Sequence, residues 1–330
     1  MNRFFIRWAP RFKLIDVPNH RSSHHIPTPR GAGIHFSLPW LVLLPILSFS
    51  NHLPNHFTDT LIPGSLALVF IGFWDDVHHL SYKIKLLVHI LVSMGTVYGF
   101  YRQYHTDFLS FDPLKWGGFL GAYPLEAFFH GIPLGLVYPI LALILIWSIN
   151  VYNFMDGTDG QASGQGIFIL LNASVLAYQH QAPDFASLLL ILACLLFGFF
   201  MWNKPPAKIF MGDNGSCFLG FIVPVLALLG FLEYKIPISV WFIAYTPFWF
   251  DATFTVLHRL SQGQSVTQPH QGFLFQKIPK KQALRHLLLV DLILLGIIYA
   301  PGFNNLSRII LGLFAVVILI SLRLHNKNKR

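Results

Sequence analysis

Charged side chains are scarce in this sequence. Asp, Glu, Lys and Arg together make up 11% of its 330 residues, whereas soluble domains average about 25%. Apolar residues account for 54% of the chain and form runs that short polar loops separate. This balance excludes an ordinary water-soluble domain and predicts one helical membrane domain.

The sequence also lacks the signatures of several common protein classes. With only Cys194 and Cys217, it cannot build a disulfide framework or a cysteine-based zinc site. It contains no GxxxxGKS, GxxxxGKT, GxSxG or HExxH pattern, which excludes the common ATPases, serine hydrolases and zinc proteases. Residues 1–13 mix basic and aromatic side chains, which is typical of a helix on the membrane surface rather than a signal peptide.

The apolar runs predict an all-α, polytopic fold, because a spanning helix needs about 17–25 residues. We expect a basic amphipathic N-terminal segment (1–33), a transmembrane catalytic domain (34–323) and a basic cytoplasmic tail (324–330). About ten runs are long enough to be candidate spans, at 34–50, 61–76, 84–101, 132–150, 163–179, 185–202, 214–232, 238–258, 285–300 and 306–323.

The distribution of basic residues predicts the orientation in the membrane. An even number of spans puts both chain ends on one side. If that side is cytoplasmic, every Lys and Arg except Arg102, Lys115, Lys235 and Arg308 falls on it or at its edge, as the positive-inside rule requires. The acidic motifs described next then share the cytoplasmic face.

An adjacent acid pair, Asp75 and Asp76, ends the second apolar run. Charges at the membrane interface cost much less than at the bilayer centre, so a solvated helix end is one explanation. The other is chemical, since carboxylates act as general bases and as Mg²⁺ ligands beside substrate phosphates. The pair alone leaves both explanations open.

The densest polar cluster follows the fourth run, in Asn150-Val-Tyr-Asn-Phe-Met-Asp-Gly-Thr-Asp-Gly. Asn153 and Asp156 lie three residues apart and share a face while the helix lasts, and the glycines permit tight turns and close approach of a ligand. The amides of Asn150 and Asn153 suit uracil, sugar or phosphate, and Asp156 and Asp159 suit hydroxyl groups or a metal. A helix cap needs one such residue, so the cluster favours a substrate site.

A third polar segment, Lys208-Ile-Phe-Met-Gly-Asp-Asn-Gly-Ser, lies between two apolar runs. Asp213 is predicted at a helix N-terminus, where backbone N–H groups favour anions, and an N-cap role is the simpler explanation. With Lys208 as a phosphate contact and Ser216 beside it, the segment favours a metal and pyrophosphate site. Arg30 and His270 lie in basic stretches that suit lipid headgroups or catalysis, and their cytoplasmic placement favours catalysis.

These groups together indicate phosphoryl-type transfer, which depends on positioning and charge neutralisation more than on covalent chemistry. Mg²⁺, or Mn²⁺ in its place, is the cofactor we expect to supply the neutralisation. A site at the ends of membrane helices suits one water-soluble substrate and one lipid-linked substrate.

Four motifs, in this order, resemble those of the polyprenyl-phosphate N-acetylhexosamine-1-phosphate transferases of glycosyltransferase family 4, which include phospho-N-acetylmuramoyl-pentapeptide transferase. They are Asp16-Val-Pro-Asn-His-Arg-Ser-Ser-His, Trp74-Asp-Asp, Asn153-Phe-Met-Asp-Gly-Thr-Asp-Gly and Phe210-Met-Gly-Asp-Asn-Gly-Ser. The sequences Arg-Ser-Ser-His and Pro-Thr-Pro-Arg-Gly are most similar to those of the branch that initiates O-antigen or related surface glycans.

The resemblance implies an enzyme of the bacterial inner membrane that joins a UDP-N-acetyl amino sugar and undecaprenyl phosphate, releasing UMP. It implies no nucleic-acid partner and leaves a homodimer open. By resemblance, Asp75 and Asp76 would activate the lipid phosphate or bind metal, and Asp213 would ligate magnesium. The expected residues are Asp75, Asp76, Asp156 and Asp159 for catalysis, Asn150, Asn153, Lys208, Ser216, His270 and Arg30 for substrates, and Asp213 and Asp76 for the metal.

The chain departs from the family pattern in two places. Family members usually carry one more span before the Asp16 segment. The last loop usually contains His-x-x-His with a neighbouring Arg, whereas Phe273 replaces the second His and Gln271 stands where Arg is common. The second departure implies altered sugar choice or reduced turnover.

Two other functions remain alternatives at this point, besides a degenerate member with a binding or scaffold role. An intramembrane prenyltransferase would show paired Asp-x-x-x-Asp clusters, which are missing here. A transporter would carry charges within its spans, for which Asp251 and Asp291 are the candidates. The position of Asp251 after Pro247 and Trp249 favours support of the site from a helix end.

Overall fold

The computed structural model describes residues 2–18, 26–109, 134–265, 272–277, 280–300 and 307–316. Within them the chain is built almost entirely of helices, which confirms the all-α class. The helices are α1 (Asn2–Trp8), α2 (Ile34–Phe49), α3 (Asn55–His78), α4 (Tyr82–Leu109), α5 (Leu134–Met155), α6 (Gln161–Gln179), α7 (Pro183–Asn203), α8 (Asp213–Tyr234), α9 (Ile238–Ser261), α10 (Lys280–Tyr299) and α11 (Ser307–Val316).

Every predicted span coincides with a helix over its described part. Six helices in the described ranges are long and apolar enough to cross a membrane, namely α3, α4, α5, α7, α8 and α10. The chain is therefore a multi-pass membrane protein, and the count of ten spans stays a prediction. Helices α2 and α11 are apolar but shorter, and the expected divisions at 1–33 and 324–330 also stay predictions.

A short strand pair precedes α2, although the apolar runs do not predict any strand. Strands β1 (Ile15–Asp16) and β2 (Thr28–Pro29) pair antiparallel. The Arg30 N–H donates to the Leu14 carbonyl at 3.0 Å and extends the same hairpin. The pair holds the segment before α2 against the rest of the molecule.

Helix α8 is the centre of the bundle and is buried along almost its whole length. Glycines let its neighbours approach, as is common between membrane helices. A Cβ at Gly220 would lie 2.7 Å from the Ile149 Cα in α5. A Cβ at Gly64 in α3 would lie 2.5 Å from the Phe221 Cζ in α8. These close contacts fix the positions of α3 and α5 around α8.

The two ends of the bundle carry different polar groups. At the end where α3 stops and α8 starts lie the acidic motifs. At the opposite end, Glu233 accepts a hydrogen bond from the Tyr104 hydroxyl at 2.5 Å and lies 2.9 Å from the His56 Nε2. This second cluster joins the N-terminal end of α3 to the C-terminal ends of α4 and α8. The candidate site is therefore confined to one face.

Candidate active site

Lys85 joins two of the acidic motifs. Its Nζ lies 3.1 Å from the Asp75 Oδ2 and 2.9 Å from the Asp213 Oδ2. Asp75 lies in the last turn of α3, Lys85 lies in the first turn of α4, and Asp213 begins α8. Three helix ends thus meet at one ammonium group, which offsets the mutual repulsion of two carboxylates.

Asp76 is buried and held on both carboxylate oxygens. Its Oδ1 lies 3.3 Å from an Arg30 guanidinium nitrogen and accepts the Asp213 N–H at 3.2 Å. Its Oδ2 accepts from the Asn214 amide at 2.8 Å. A buried carboxylate needs such partners to remain in place. Through these bonds Asp76 positions Asp213. The predicted role of Asp76 as a metal ligand stays a prediction.

Glycines allow the chain to pack this tightly around Asp76. Gly212 has φ +75°, a conformation that favours glycine. A Cβ there would lie 2.8 Å from the Asp76 Cγ and closer still to its Oδ2. A Cβ at Gly72 would lie 2.5 Å from the Asn214 Cα. The Met-Gly-Asp-Asn segment can therefore rest directly on the end of α3.

The N-terminal segment completes this face of the site. The Ala32 N–H donates to the Phe210 carbonyl at 3.0 Å, and the Gly33 N–H donates to the Met211 carbonyl at 2.9 Å. Arg30 precedes these bonds and also donates to the Asp75 carbonyl at 3.3 Å. The predicted grouping of Arg30 with the acid motifs is what the structure shows, while its contact with substrate stays a prediction.

The two asparagines of the second motif occupy different environments. The Asn153 amide donates to the Ser216 Oγ at 3.0 Å, which ties the end of α5 to the first turn of α8. Asn150 lies one turn deeper, where its amide donates to the Ile146 carbonyl at 2.7 Å and lies 3.4 Å from the His89 Nδ1. Asn153 and Ser216 therefore lie at the acid cluster, whereas Asn150 lies one turn deeper in the bundle.

Asp156 lies just past the end of α5 and is half-buried. Among the described residues no side chain forms an ion pair or hydrogen bond with its carboxylate. Burial, together with the neighbouring charges of Asp213, Asp76 and Asp159, raises the pKa of Asp156 well above its ordinary value. Such a group gains stability as an anion when a cation or a positively charged ligand approaches it.

Asp159 and Lys208 belong to the neighbouring loop. The Asp159 Oδ2 accepts the Ala207 N–H at 2.9 Å. The Lys208 ammonium lies 5.5 Å from the centre of the Trp202 ring, a distance at which a cation is attracted to the ring face. The structure places Asp159 near Asp156, whose pKa its charge helps to raise, and places Lys208 beside Trp202. The proposed contacts of both residues with substrate stay predictions.

We expect Asp159→Ala to loosen residues 204–208, because the Ala207 N–H loses its acceptor, at a cost of about 1–3 kcal/mol. Hydrogen exchange at Ala207 should become faster. Asp159→Asn, which keeps a side-chain oxygen, should exchange more slowly than Asp159→Ala. Asp184→Ala at the opposite end, whose side chain is 53% exposed, is the control. Unchanged exchange in Asp159→Ala would remove Asp159 as the anchor of this loop.

Two contributing residues could not be recognised from their surrounding motifs. Lys85 stands ten residues after Asp75, and its only signal is a charge at a helix start in a chain with few charges. Asn203 is buried at the end of α7, where its Oδ1 accepts from Gly160 and Ser163 and its amide donates to Ile209. Each contacts a residue that is distant in the sequence, Asp213 for Lys85 and Gly160 for Asn203, so neither could be assigned to a motif. His270 lies outside the described residues.

The fold and this cluster define a polytopic membrane protein with a carboxylate-rich site at one end of its helices. Comparison with known proteins identifies the family. Residues 60–231 match the family model described as glycosyl transferase family 4, and the chain belongs to that family. The matched region contains Asp75, Asp76, Lys85, Asn153 and Asp213, and it ends before α9 and the last loop.

Relatives with assigned names align over different lengths. A Bacillus subtilis protein described as a probable undecaprenyl-phosphate N-acetylglucosaminyl 1-phosphate transferase is 28% identical over 320 residues, covering 95% of this chain and 84% of the relative. A phospho-N-acetylmuramoyl-pentapeptide-transferase of Chlamydia muridarum is 32% identical over 223 residues, covering 64% and 63%. The one from Borrelia garinii is 32% identical over 231 residues, covering 62% and 60%. The chain thus spans less than two thirds of the two latter relatives.

Proposed function

We propose that this protein transfers an N-acetylated amino sugar 1-phosphate from a UDP-sugar to undecaprenyl phosphate, releasing UMP. The observation that carries the proposal is the convergence of Asp75, Asp213 and Lys85 at the ends of three membrane helices. A lipid phosphate and a soluble nucleotide sugar can meet only at such an interface. The names of the aligned relatives support the same reaction.

The donor set fits magnesium. Among the described residues no three His, Cys, Asp or Glu side chains form a ready metal cluster. Mg²⁺ does not need one, since it commonly binds one or two carboxylates together with substrate phosphates and water. We assign it to Asp213, as the resemblance implies, and to Asp156, whose carboxylate has no side-chain partner among the described residues. When bound, Mg²⁺ would neutralise charge on the diphosphate.

The chain's own residues would divide the remaining tasks. An oxygen of the lipid phosphate attacks the β-phosphorus of the UDP-sugar, and the bond from that phosphorus to the bridging oxygen breaks, so that UMP leaves with the bridging oxygen. Lys85 supplies a fixed positive charge beside the reacting phosphates. Asp75 lies within reach of the same ammonium and would orient the lipid phosphate. Asn153 would hold the nucleotide sugar from the end of α5.

We further propose that the site faces the cytoplasm of a bacterial inner membrane. The bias of Lys and Arg toward this end of the helices supports that orientation. UDP-sugars are soluble and enter from that side. The Pro-Thr-Pro-Arg-Gly sequence around Arg30 supports a role in initiating O-antigen or a related surface glycan.

UMP release tests the proposal. Purified protein with Mg²⁺, undecaprenyl phosphate and a panel of UDP-N-acetyl amino sugars should release UMP only when the lipid is present. EDTA should abolish release, and added Mg²⁺ should restore it. Asp213→Asn should reduce kcat by about 10²-fold or more, as expected when a charge-stabilising group is lost. Asp59→Asn, an exposed carboxylate at the opposite end of α3, is the matched control.

Lipid-independent release, or none with any sugar from folded protein, would contradict the transferase assignment. Full activity in EDTA would contradict the metal requirement alone.

A further inference from the structure

The first described segment, residues 2–16, lies at the end of the bundle that holds the acid cluster. Its helix α1 continues into a 3₁₀ turn over Ala9–Phe12. Phe5 packs edge-on against His35 in the first turn of α2, with ring centres 4.9 Å apart. Phe5 and Ala9 are buried, so one face of the segment is fixed to the protein.

The opposite face of this segment is aromatic and exposed. Phe4, Trp8 and Phe12 follow each other at intervals of four residues and are 64%, 37% and 56% exposed. The rings of Phe4 and Trp8 lie 5.3 Å apart. Exposed aromatic rings at the end of a membrane bundle are typical of the boundary between headgroups and acyl chains. This face therefore suits the surface of the bilayer that the other helices cross.

Basic side chains border the aromatic face. Arg7, Arg11 and Lys13 are exposed, and the Arg11 guanidinium lies 4.4 Å from the centre of the Trp8 ring. The sequence has no Asp or Glu before Asp16. Among the described residues none of the three basic groups forms an ion pair with a carboxylate. This charge makes anionic phospholipid headgroups the complementary partner.

Leu14 connects the segment to the acid cluster. Its N–H donates to the Ala9 carbonyl at 3.0 Å, and its carbonyl accepts the Arg30 N–H at 3.0 Å. A Cβ at Gly31 would lie 3.2 Å from the Leu14 Cδ2 and 3.4 Å from the Asp76 Oδ2. Arg30 in turn lies 3.3 Å from the Asp76 carboxylate. A shift of α1 would therefore reach Arg30 and Asp76 through one residue.

We propose that α1 and the 3₁₀ turn bind anionic phospholipid headgroups at the membrane surface, and that this binding holds Arg30 against Asp76 and thereby increases turnover. The gain in turnover rests on the proposed function, whereas lipid binding by the segment does not. An uncharged membrane would leave the basic groups unpaired and the link through Leu14 looser. Anionic lipid is thus an activator that binds outside the site.

Hydrogen exchange on the full chain in nanodiscs tests the binding without any substrate. Discs of phosphatidylcholine alone are compared with discs that also contain phosphatidylglycerol. Each basic side chain near an anionic surface strengthens binding by about fivefold, so the amides of residues 4–13 should exchange at least about tenfold more slowly in the anionic discs. The Arg30 amide should slow with them, because it donates to Leu14. High salt should weaken both effects, since it screens surface charge.

Two charge-matched variants assign the effect to this segment. The triple variant Arg7→Gln, Arg11→Gln and Lys13→Gln should exchange at the same rate in both kinds of disc. The control variant removes the same amount of charge and should keep the full response. It changes three exposed basic residues near other helix ends on the same face of the protein: Lys83→Gln, Lys204→Gln and Arg285→Gln.

UMP release measures the effect on turnover. With saturating UDP-sugar, Mg²⁺ and undecaprenyl phosphate, the wild-type kcat should be about tenfold higher in the anionic discs, since misplacement of a site by about 1 Å has effects of this size. The triple variant in the segment should show the lower kcat in both kinds of disc. Leu14→Ala should keep the slow exchange of residues 4–13 in anionic discs but lose the gain in kcat.

Equal exchange of residues 4–13 in the two kinds of disc would overturn the proposal, whether it is fast in both or slow in both, as a covering protein partner predicts. Equal slowing by inorganic phosphate in neutral discs, or loss of the response in the control variant, would also overturn it. Lipid-dependent exchange with an unchanged kcat would overturn the activation. Lipid-dependent exchange with no UMP release in either disc would instead refute the transferase and leave the lipid site in place.

Discussion

Lys85→Gln should lower kcat for UMP release by about 10²–10³-fold, the effect expected when a positioned charge is removed from a phosphoryl-transfer site. The substitution keeps a polar side chain but removes the ammonium group between Asp75 and Asp213. The two carboxylates then repel each other and the incoming phosphates lose a fixed positive charge. Steady-state kinetics in saturating UDP-sugar and lipid measure the change.

Lys83→Gln is the matched control for this experiment. Lys83 lies two residues earlier on the same helix and is exposed, so its loss should leave kcat near the wild-type value. Size-exclusion chromatography in detergent shows whether each variant is folded. A folded Lys85→Gln protein with at least half of the wild-type kcat would rule out this role for the lysine.

Gly212→Ala should both destabilise the protein and reduce its activity. An alanine at φ +75° is strained, and its Cβ would collide with the carboxylate of Asp76. Left-handed strain and overpacking together should cost about 2–4 kcal/mol. Displacement of Asp76 from Arg30 and Asn214 should also lower kcat by about tenfold or more, since misplacement of a site by about 1 Å has effects of this size. Thermal unfolding in detergent and UMP release measure the two effects.

Gly99→Ala provides a comparison in which the expected change in stability has the opposite sign. Gly99 lies in α4, and a Cβ there meets nothing within 4 Å. Alanine is the better helix former by about 1 kcal/mol, so this variant should be as stable as the wild type or more so. Equal stability of Gly212→Ala and Gly99→Ala would contradict the close packing described around Asp76.

The sequence predicted the helices well because each apolar run is long and bounded by polar residues. It predicted the number of spans less securely. Helix α6 contains Ser163, Asn172 and Ser174, whose side chains bond inside the bundle. Such groups lower the hydropathy of a helix without excluding it from the membrane interior, so composition alone does not settle which helices span.

The candidate site was predictable as a set of motifs but not as an arrangement. Asp75 and Asp213 stood out because acids are rare in this chain, yet their common partner Lys85 depends on how α3, α4 and α8 pack. Asn150 and Asn153 belong to one motif, in which the sequence predicts that both amides contact substrate. One helical turn separates them along the axis, and only Asn153 reaches the first turn of α8. Tertiary packing, which the spacing does not encode, decided both outcomes.

The position of the β-phosphate after the reaction tests the central claim most directly. A UDP-N-acetyl amino sugar labelled with ³²P at the β-phosphorus is incubated with the protein, Mg²⁺ and undecaprenyl phosphate, and the lipid is extracted. Transfer of a sugar 1-phosphate predicts label in the lipid fraction and unlabelled UMP in the aqueous fraction. Label that stays in aqueous UDP while the sugar moves to the lipid would contradict the account.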